Sequence, residues 1–289
     1  MINNHGLELE IAGNIVSNKN LSLSAGLNAA FIKSTVKSLY GGEEIIWNDP
    51  TGGDSRAKFI YREGESTRAF YGYEWAGVDP ANGKSVYYAN NPDLDASNLP
   101  DGYFLFNDRI ASYDYGKAEY TIIGNAIPKV SGGFFANLGS HGFDLSLNFI
   151  YKIGGNIYDG AEKDVADDGY YWNRIRSAYY YENRWTESNP NGTQPALSGS
   201  DLEDAMQASS RHLYDASFLR LKTVTLGYSI PKSLLKKVNI SNLRIYFTGG
   251  NLLTFKAYPI ADPEVGDYGT RGWETPLGKS YTFGLDFRF

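Results

Sequence analysis

The stretch Tyr281-Thr282-Phe283-Gly284-Leu285-Asp286-Phe287-Arg288-Phe289 constrains this chain more than any other. A strand turns successive side chains to opposite faces. That puts Tyr281, Phe283, Leu285, Phe287 and Phe289 on one side and Thr282, Gly284, Asp286 and Arg288 on the other. A chain that stops on such a strand, with a terminal aromatic and no polar tail, fits a transmembrane β-barrel whose last strand pairs with its first. The five apolar residues are then expected to face lipid and to act as closing strand and assembly signal. Leu285→Arg is expected to destabilise by about 2–4 kcal/mol, and a change on the other face, Gly284→Ser, to be tolerated. Taken alone, the segment fits a soluble β-sandwich as well.

Composition narrows the classes. No run approaches the ~18 apolar residues of a spanning helix, and a mean hydropathy of -0.39 excludes a helical membrane protein but not a barrel. The 23 Tyr, 15 Phe and 5 Trp suit either interfacial girdles or glycan-binding surfaces. A net charge of -6 without a Lys/Arg cluster argues against nucleic acid as a partner. With no Cys there is no disulfide framework or thiol chemistry. The residues Met1–His5 carry no signal-peptide pattern, so an exported chain of this kind is expected to have further sequence upstream.

Period-two patterns recur along the chain. Strands are expected at Leu7–Val16, Leu21–Phe31, Arg68–Val78, Ser85–Ala89, Lys129–Leu138, Phe143–Ile153, Ser217–Ile230, Leu243–Thr248 and the final segment, with a short helix around Trp172–Trp185. Tight turns follow Val16, Val78, Leu138 and Ile230, and long segments follow Phe31, Ala89, Ile153 and Thr248. Such alternation is the periplasmic-turn, extracellular-loop rule of outer-membrane barrels. One strand breaks its own pattern. In Ser217–Ile230, Val224, Leu226, Tyr228 and Ile230 share a face, whereas Leu219 and Leu221 lie opposite, away from Arg220 and Lys222. A position at the membrane rim suffices to accommodate those charges, and a bulge is the other device. About nine strands cannot close a barrel alone, so residues 1–289 are expected to be the C-terminal part of a longer barrel domain.

Several segments resemble one family. Tyr71-Gly72-Tyr73-Glu74-Trp75-Ala76-Gly77-Val78-Asp79-Pro80-Ala81-Asn82-Gly83 is similar to its aromatic-to-Asp-Pro turn. Gly124-Asn125-Ala126-Ile127-Pro128-Lys129 with Gly132-Gly133-Phe134 is similar to its approach to a strand. Ser217–Lys222 with Leu226–Pro231, Leu243–Tyr246, Gly250–Phe255, Asp262–Glu264 and the closing Tyr281–Leu285 complete the set. By these motifs the chain resembles the C-terminal portion of SusC/RagA-type TonB-linked outer-membrane transporters. The resemblance implies a barrel of about 22 strands with a plug, in the outer membrane of a Gram-negative bacterium. It also implies glycan or peptide as substrate, a SusD-like surface lipoprotein as lid, and coupling to the TonB complex through an N-terminal region lying outside this sequence. The competing reading is a secreted, soluble β-rich glycan-binding protein.

Nothing in the residues points to an enzyme or a cofactor. The acidic pairs Glu43-Glu44, Asp167-Asp168 and Asp201/Glu203 read as solvated loop acids, without the surroundings a glycosidase needs. Asp262–Asp267 lacks EF-hand spacing, and His5, His141 and His212 are too scattered for zinc. The candidate contact region for ligand or partner is aromatic: Tyr170, Tyr171, Trp172, Tyr179, Tyr180, Tyr181 and Trp185, interspersed with Arg174, Arg176 and Arg184. The same rings could instead pack this long loop against its neighbours.

Overall fold

Seven strands carry the period-two patterns into one antiparallel sheet: β1 (Ile2–Ser17), β2 (Leu21–Val36), β3 (Val130–Ser140), β4 (Phe143–Ile153), β5 (Phe218–Ser229), β6 (Asn242–Lys256) and β7 (Ser280–Arg288). The computed structural model describes residues 1–48, 57–171, 173–197, 203–235 and 240–289. Each strand hydrogen-bonds to its neighbour in sequence, giving the order β1-β2-β3-β4-β5-β6-β7. Residues directly opposite across an antiparallel ladder share a face. Val16, Leu23, Leu138, Leu145, Leu226, Phe247 and Phe283 therefore form one apolar row across all seven strands. One residue away, Asn14, Ser24, Asn137, Ser146, Thr225, Thr248 and Thr282 form a polar row on the other face. Ser146 donates to Asn137 at 2.7 Å, and the Thr225 and Thr248 hydroxyls lie 3.0 Å apart.

Two bulges keep the faces consistent. One between Asn14 and Val16 in β1 turns Val16 to the apolar side. The other makes Lys222 the extra residue in β5: Phe149 pairs with Leu221 and Asn148 with Thr223. Leu219 and Leu221 thereby rejoin the face of Val224, Leu226 and Tyr228, and Arg220 turns to the polar face. There Arg220 is 1% exposed and ion-paired with Asp262 and Glu264. The parity break in the sequence is thus resolved by a bulge.

At the turn end, Arg244 bridges strands on the polar face. Its guanidinium meets Asp144 at 2.6 and 2.9 Å and Asp286 at 3.3 Å. Gly227 leaves room for that crossing, since a Cβ there would lie 2.5 Å from the Asp144 carboxylate and 2.6 Å from Arg244. The Tyr246 ring tip lies over Gly284 in the same way, 2.2 Å from where a Cβ would stand, so Gly284→Ser requires that ring to swing aside. His141 and Gly142 form the two-residue β3–β4 turn with φ of 50° and 86°, as a hairpin twisted to match its strands requires.

Short connections, 18–20, 141–142 and 230–241, lie at one end of the sheet, and long ones, 37–129, 154–217 and 257–279, at the other. Two of the nine expected strands belong to the long connections. Ala69–Tyr73, Trp75–Val78 and Ser85–Tyr88 lie in two small four-stranded sheets, outside the seven-stranded one. They are too short to cross the ~9–11 residues of a membrane strand, and the expected run breaks at Glu74, where the chain passes from one small sheet to the other. Conversely, β6 continues past Thr248 through a bulge around Asn251, whose φ is 53°.

The core lies in these connections. Phe59, Phe70 and Ala126 of the first meet Tyr158 and Leu213 of the second and Tyr268 of the third. A small sheet of Asn156–Asp159, Leu213–Asp215 and Thr270–Arg271 ties the second connection to the third. The apolar face of the sheet of β1 to β7, by contrast, is uncovered. Leu7, Leu9, Ile11, Phe143, Leu226, Phe255, Phe283 and Leu285 are all exposed. The sheet makes a direct stability comparison between two glycines. In the intact protein Gly227→Ala should destabilise by about 1–3 kcal/mol through overpacking against Asp144 and Arg244. Gly13→Ala, with nothing within 4 Å of the added carbon, should be neutral or stabilise by up to about 1 kcal/mol. Urea unfolding distinguishes them, and equal effects would contradict this packing.

Candidate functional site

The long connections hold most of the buried charge. Asp159 caps the helix Gly160–Val165 by accepting from the Glu162 N–H at 2.9 Å. The same carboxylate accepts two hydrogen bonds from Arg271 at 2.8 Å and one from the Tyr258 hydroxyl, binding the second connection to the third. Ser177 caps the helix Ala178–Asn183, accepting from the Tyr180 N–H at 3.0 Å and donating to Glu162 at 2.6 Å. Helix therefore forms over only part of the expected 172–185 segment.

Asp167 and Asp168 are buried, which corrects their reading as solvated acids. Asp167 accepts from the Gly169 and Tyr171 N–H groups and lies 3.0 Å from the Arg176 guanidinium. Asp168 receives two 2.6 Å hydrogen bonds from Arg211, which also donates to the Ala166 carbonyl and the Gln194 amide oxygen. Burial opposes the charge on Arg211, but the Asp168 carboxylate overrides it and holds the guanidinium above the usual arginine range. Glu44 is exposed and paired with Arg62, while Asp201 and the side chain of Glu203 lie outside the described residues. Asp262 and Glu264 are taken up by Arg220 and Lys222, so they are not an open cation site. Among the described residues no cluster of three or more His, Asp or Glu could hold a metal ion.

The six aromatic candidates among the described residues do not form one surface. Tyr180 is buried, its hydroxyl donating to the Pro195 carbonyl at 3.2 Å. Trp185 donates from Nε1 to the Pro80 carbonyl at 2.9 Å and lies over Gly83, pinning two connections together. Tyr179 is half-buried, and Trp172 lies outside the described residues. Tyr170 and Tyr181 are exposed, Tyr170 and Tyr171 meet edge to face at 4.8 Å, and Arg174 stacks on Tyr171 at 3.6 Å. Packing thus claims Tyr180 and Trp185, and outward display is left to Tyr170, Tyr171 and Tyr181. Two exposed residues that the aromatic pattern did not single out, Ile175 and Trp273, flank the same region. In β7, Tyr281, Phe283, Leu285 and Phe287 share the face of Gly249, Phe247, Ile245 and Leu243, and each is exposed, as is Phe289.

No family model matches the chain. Curated relatives and solved structures do. "TonB-dependent receptor P3" of Formosa agariphila is 29% identical, and the match covers 100% of this chain and 29% of the relative. "TonB-dependent receptor SusC" of Bacteroides thetaiotaomicron is 22% identical, over 100% of this chain and 26% of the relative. A structure of the RagAB peptide transporter superposes with a TM-score of 0.75 at 24% identity, over 99% of this chain and 29% of that one. The RagAB peptide importer in its closed-closed state gives 0.72 at 26% identity, again over 99% and 29%. The resemblance to SusC-type TonB-dependent receptors thus holds along the whole chain. The chain spans under a third of the length of the curated relatives it matches.

The buried ion pairs sit beside a titratable group. His212 is 1% exposed, and burial holds its imidazole well below the ordinary value of 6.5, with the charges of Arg211 and Lys163 adding to the effect. The unfolded imidazole binds its proton more tightly than the folded one. The stability linked to His212 is therefore fully present above about pH 6.5 and is lost as pH falls below it. Glu162, pushed up by burial, acts in the opposite sense. The readout is therefore a comparison between parent and variant. Protease resistance of the long connections should fall between about pH 7.5 and 5 in the parent protein, and fall less in His212→Leu. An identical pH dependence in both would exclude His212 as a contributor.

Proposed function

We propose that this chain is the C-terminal part of the barrel of an outer-membrane importer that takes up glycan or peptide nutrients. The observation that carries the reading is the pair of rows crossing β1 to β7. A continuous apolar face, exposed from Leu7 to Leu285, needs hydrocarbon against it, and a polar face lined by Asn, Ser and Thr suits a wet or plugged lumen. Among the described residues β1 and β7 each pair on one side only, so further strands would complete the closure that lipid demands. The long connections gather at one sheet end, the arrangement of extracellular loops, and their packed core makes a platform for a SusD-like lipoprotein lid. Energy would arrive from the TonB complex through an N-terminal region and plug preceding these strands in the whole receptor. A soluble glycan-binding protein would leave the apolar face in water, a far larger patch than monomers sustain.

Two outcomes test this. Deleting the gene of the whole receptor should abolish uptake of one class of oligomer, and the intact gene should restore it. Residues 1–289 alone behind a signal peptide should not; reproducible rescue by that segment would sink the idea. In the whole receptor, Val224→Arg on the apolar face, five residues in from the turn end of β5, should destabilise by about 2–4 kcal/mol. Thr225→Arg, on the polar row, should be tolerated better. Heat-modifiable folded barrel on cold gels reports both, and the reverse order would mean that the faces are assigned wrongly.

A further inference from the structure

Between the second and third long connections lies a groove of about 540 Å³, in the size range of small-molecule pockets. Its apolar walls are Val165, Ile175 and Trp273, and its charged lining comes from Arg174, Arg176 and Asp164. Ile175 is 88% exposed and Trp273 60%, so neither is consumed by packing within the chain.

The two arginines differ. Arg176 is committed, 3.0 Å from Asp167 and donating to the Arg174 carbonyl at 2.8 Å. Arg174 lies 3.6 Å over the Tyr171 ring centre and makes only a long ion pair, 3.9 Å, with Asp164, its side chain remaining 42% exposed. A cation–π contact of this kind steadies the guanidinium and leaves N–H donors to other partners. A pre-positioned fork of donors beside an apolar slot matches one chemical unit well: a carboxylate and an apolar side chain branching from the same carbon.

The geometry points to this groove as a subsite for the C-terminus of a peptide that ends in an apolar residue. The terminal carboxylate meets the Arg174 fork, and the last side chain lies between Ile175 and Trp273. A sugar unit fits less well, because its hydroxyls would lie against Ile175 and Val165, which provide no hydrogen-bond partner. This assignment rests on the import reading above and deepens it by naming the substrate class.

The test is titration calorimetry on the whole receptor with three probes: N-acetyl-Gly-Leu as the free acid, the same peptide as its C-terminal amide, and trigalacturonate. The acid should bind about tenfold or more tightly than the amide, as expected for a bidentate charge-assisted contact. Arg174→Gln should erase that difference, and Trp273→Ala should weaken acid and amide alike. Equal binding of acid and amide, a preference that survives Arg174→Gln, binding of trigalacturonate alone, or no peptide binding would each overturn the subsite. The acid–amide comparison needs no variant, so misfolding cannot obscure it. Loss of the subsite with nutrient uptake intact would leave the import reading standing. Peptide binding without uptake of any oligomer would do the reverse.

Discussion

Main-chain pairing in one antiparallel register across seven strands is the constraint on which the rest depends. A one-residue slip in any strand would exchange its faces, turning Asp144, Asp286 or Thr225 outward and Leu145, Leu285 or Leu226 inward. The register is reinforced from both sides. Apolar side chains line up across every ladder on one face, and on the other the Arg244 guanidinium joins β4, β6 and β7 through Asp144 and Asp286. Where the residue pattern falls out of step, at Lys222, the backbone yields by one residue and the face is preserved.

The long connections obey different physics. They bury both apolar and ionic groups, and their stability comes from contacts between segments far apart in sequence. Asp159 with Arg271, Asp168 with Arg211, and Trp185 with the Pro80 carbonyl each join such segments. Removing one member of a buried pair leaves a charge or donor without compensation, so such pairs hold a particular arrangement more than they add net stability. A rigid platform of this kind can present Arg174, Ile175 and Trp273 at fixed positions.

The sheet was legible because each strand states its own faces. Tyr281 to Phe289, Phe143 to Ile153 and Leu21 to Phe31 alternate cleanly, and alternation needs no knowledge of the partner strand. The misreadings share one cause. Arg68–Val78 and Ser85–Ala89 have strand-forming residues, yet they pack in small sheets buried from several sides, where alternation carries no information about membrane crossing. Asp167 and Asp168 look like solvent-facing acids until Arg176 and Arg211 are brought to them. Tyr180 and Trp185 look like display residues until Pro195 and Pro80 take up their donors.

Local pattern by itself determined strand identity, facing and the alternation of short and long connections, because backbone geometry fixes the period of two and side-chain polarity reads it directly. Family character was equally accessible, since its motifs are contiguous. Only the tertiary structure decided where Arg220 points, which aromatic rings are spent on packing, and that Arg174 and Trp273, separated by nearly a hundred residues, line one groove. Those outcomes depend on long-range loop closure and on which buried charges find partners, and no local spacing encodes either.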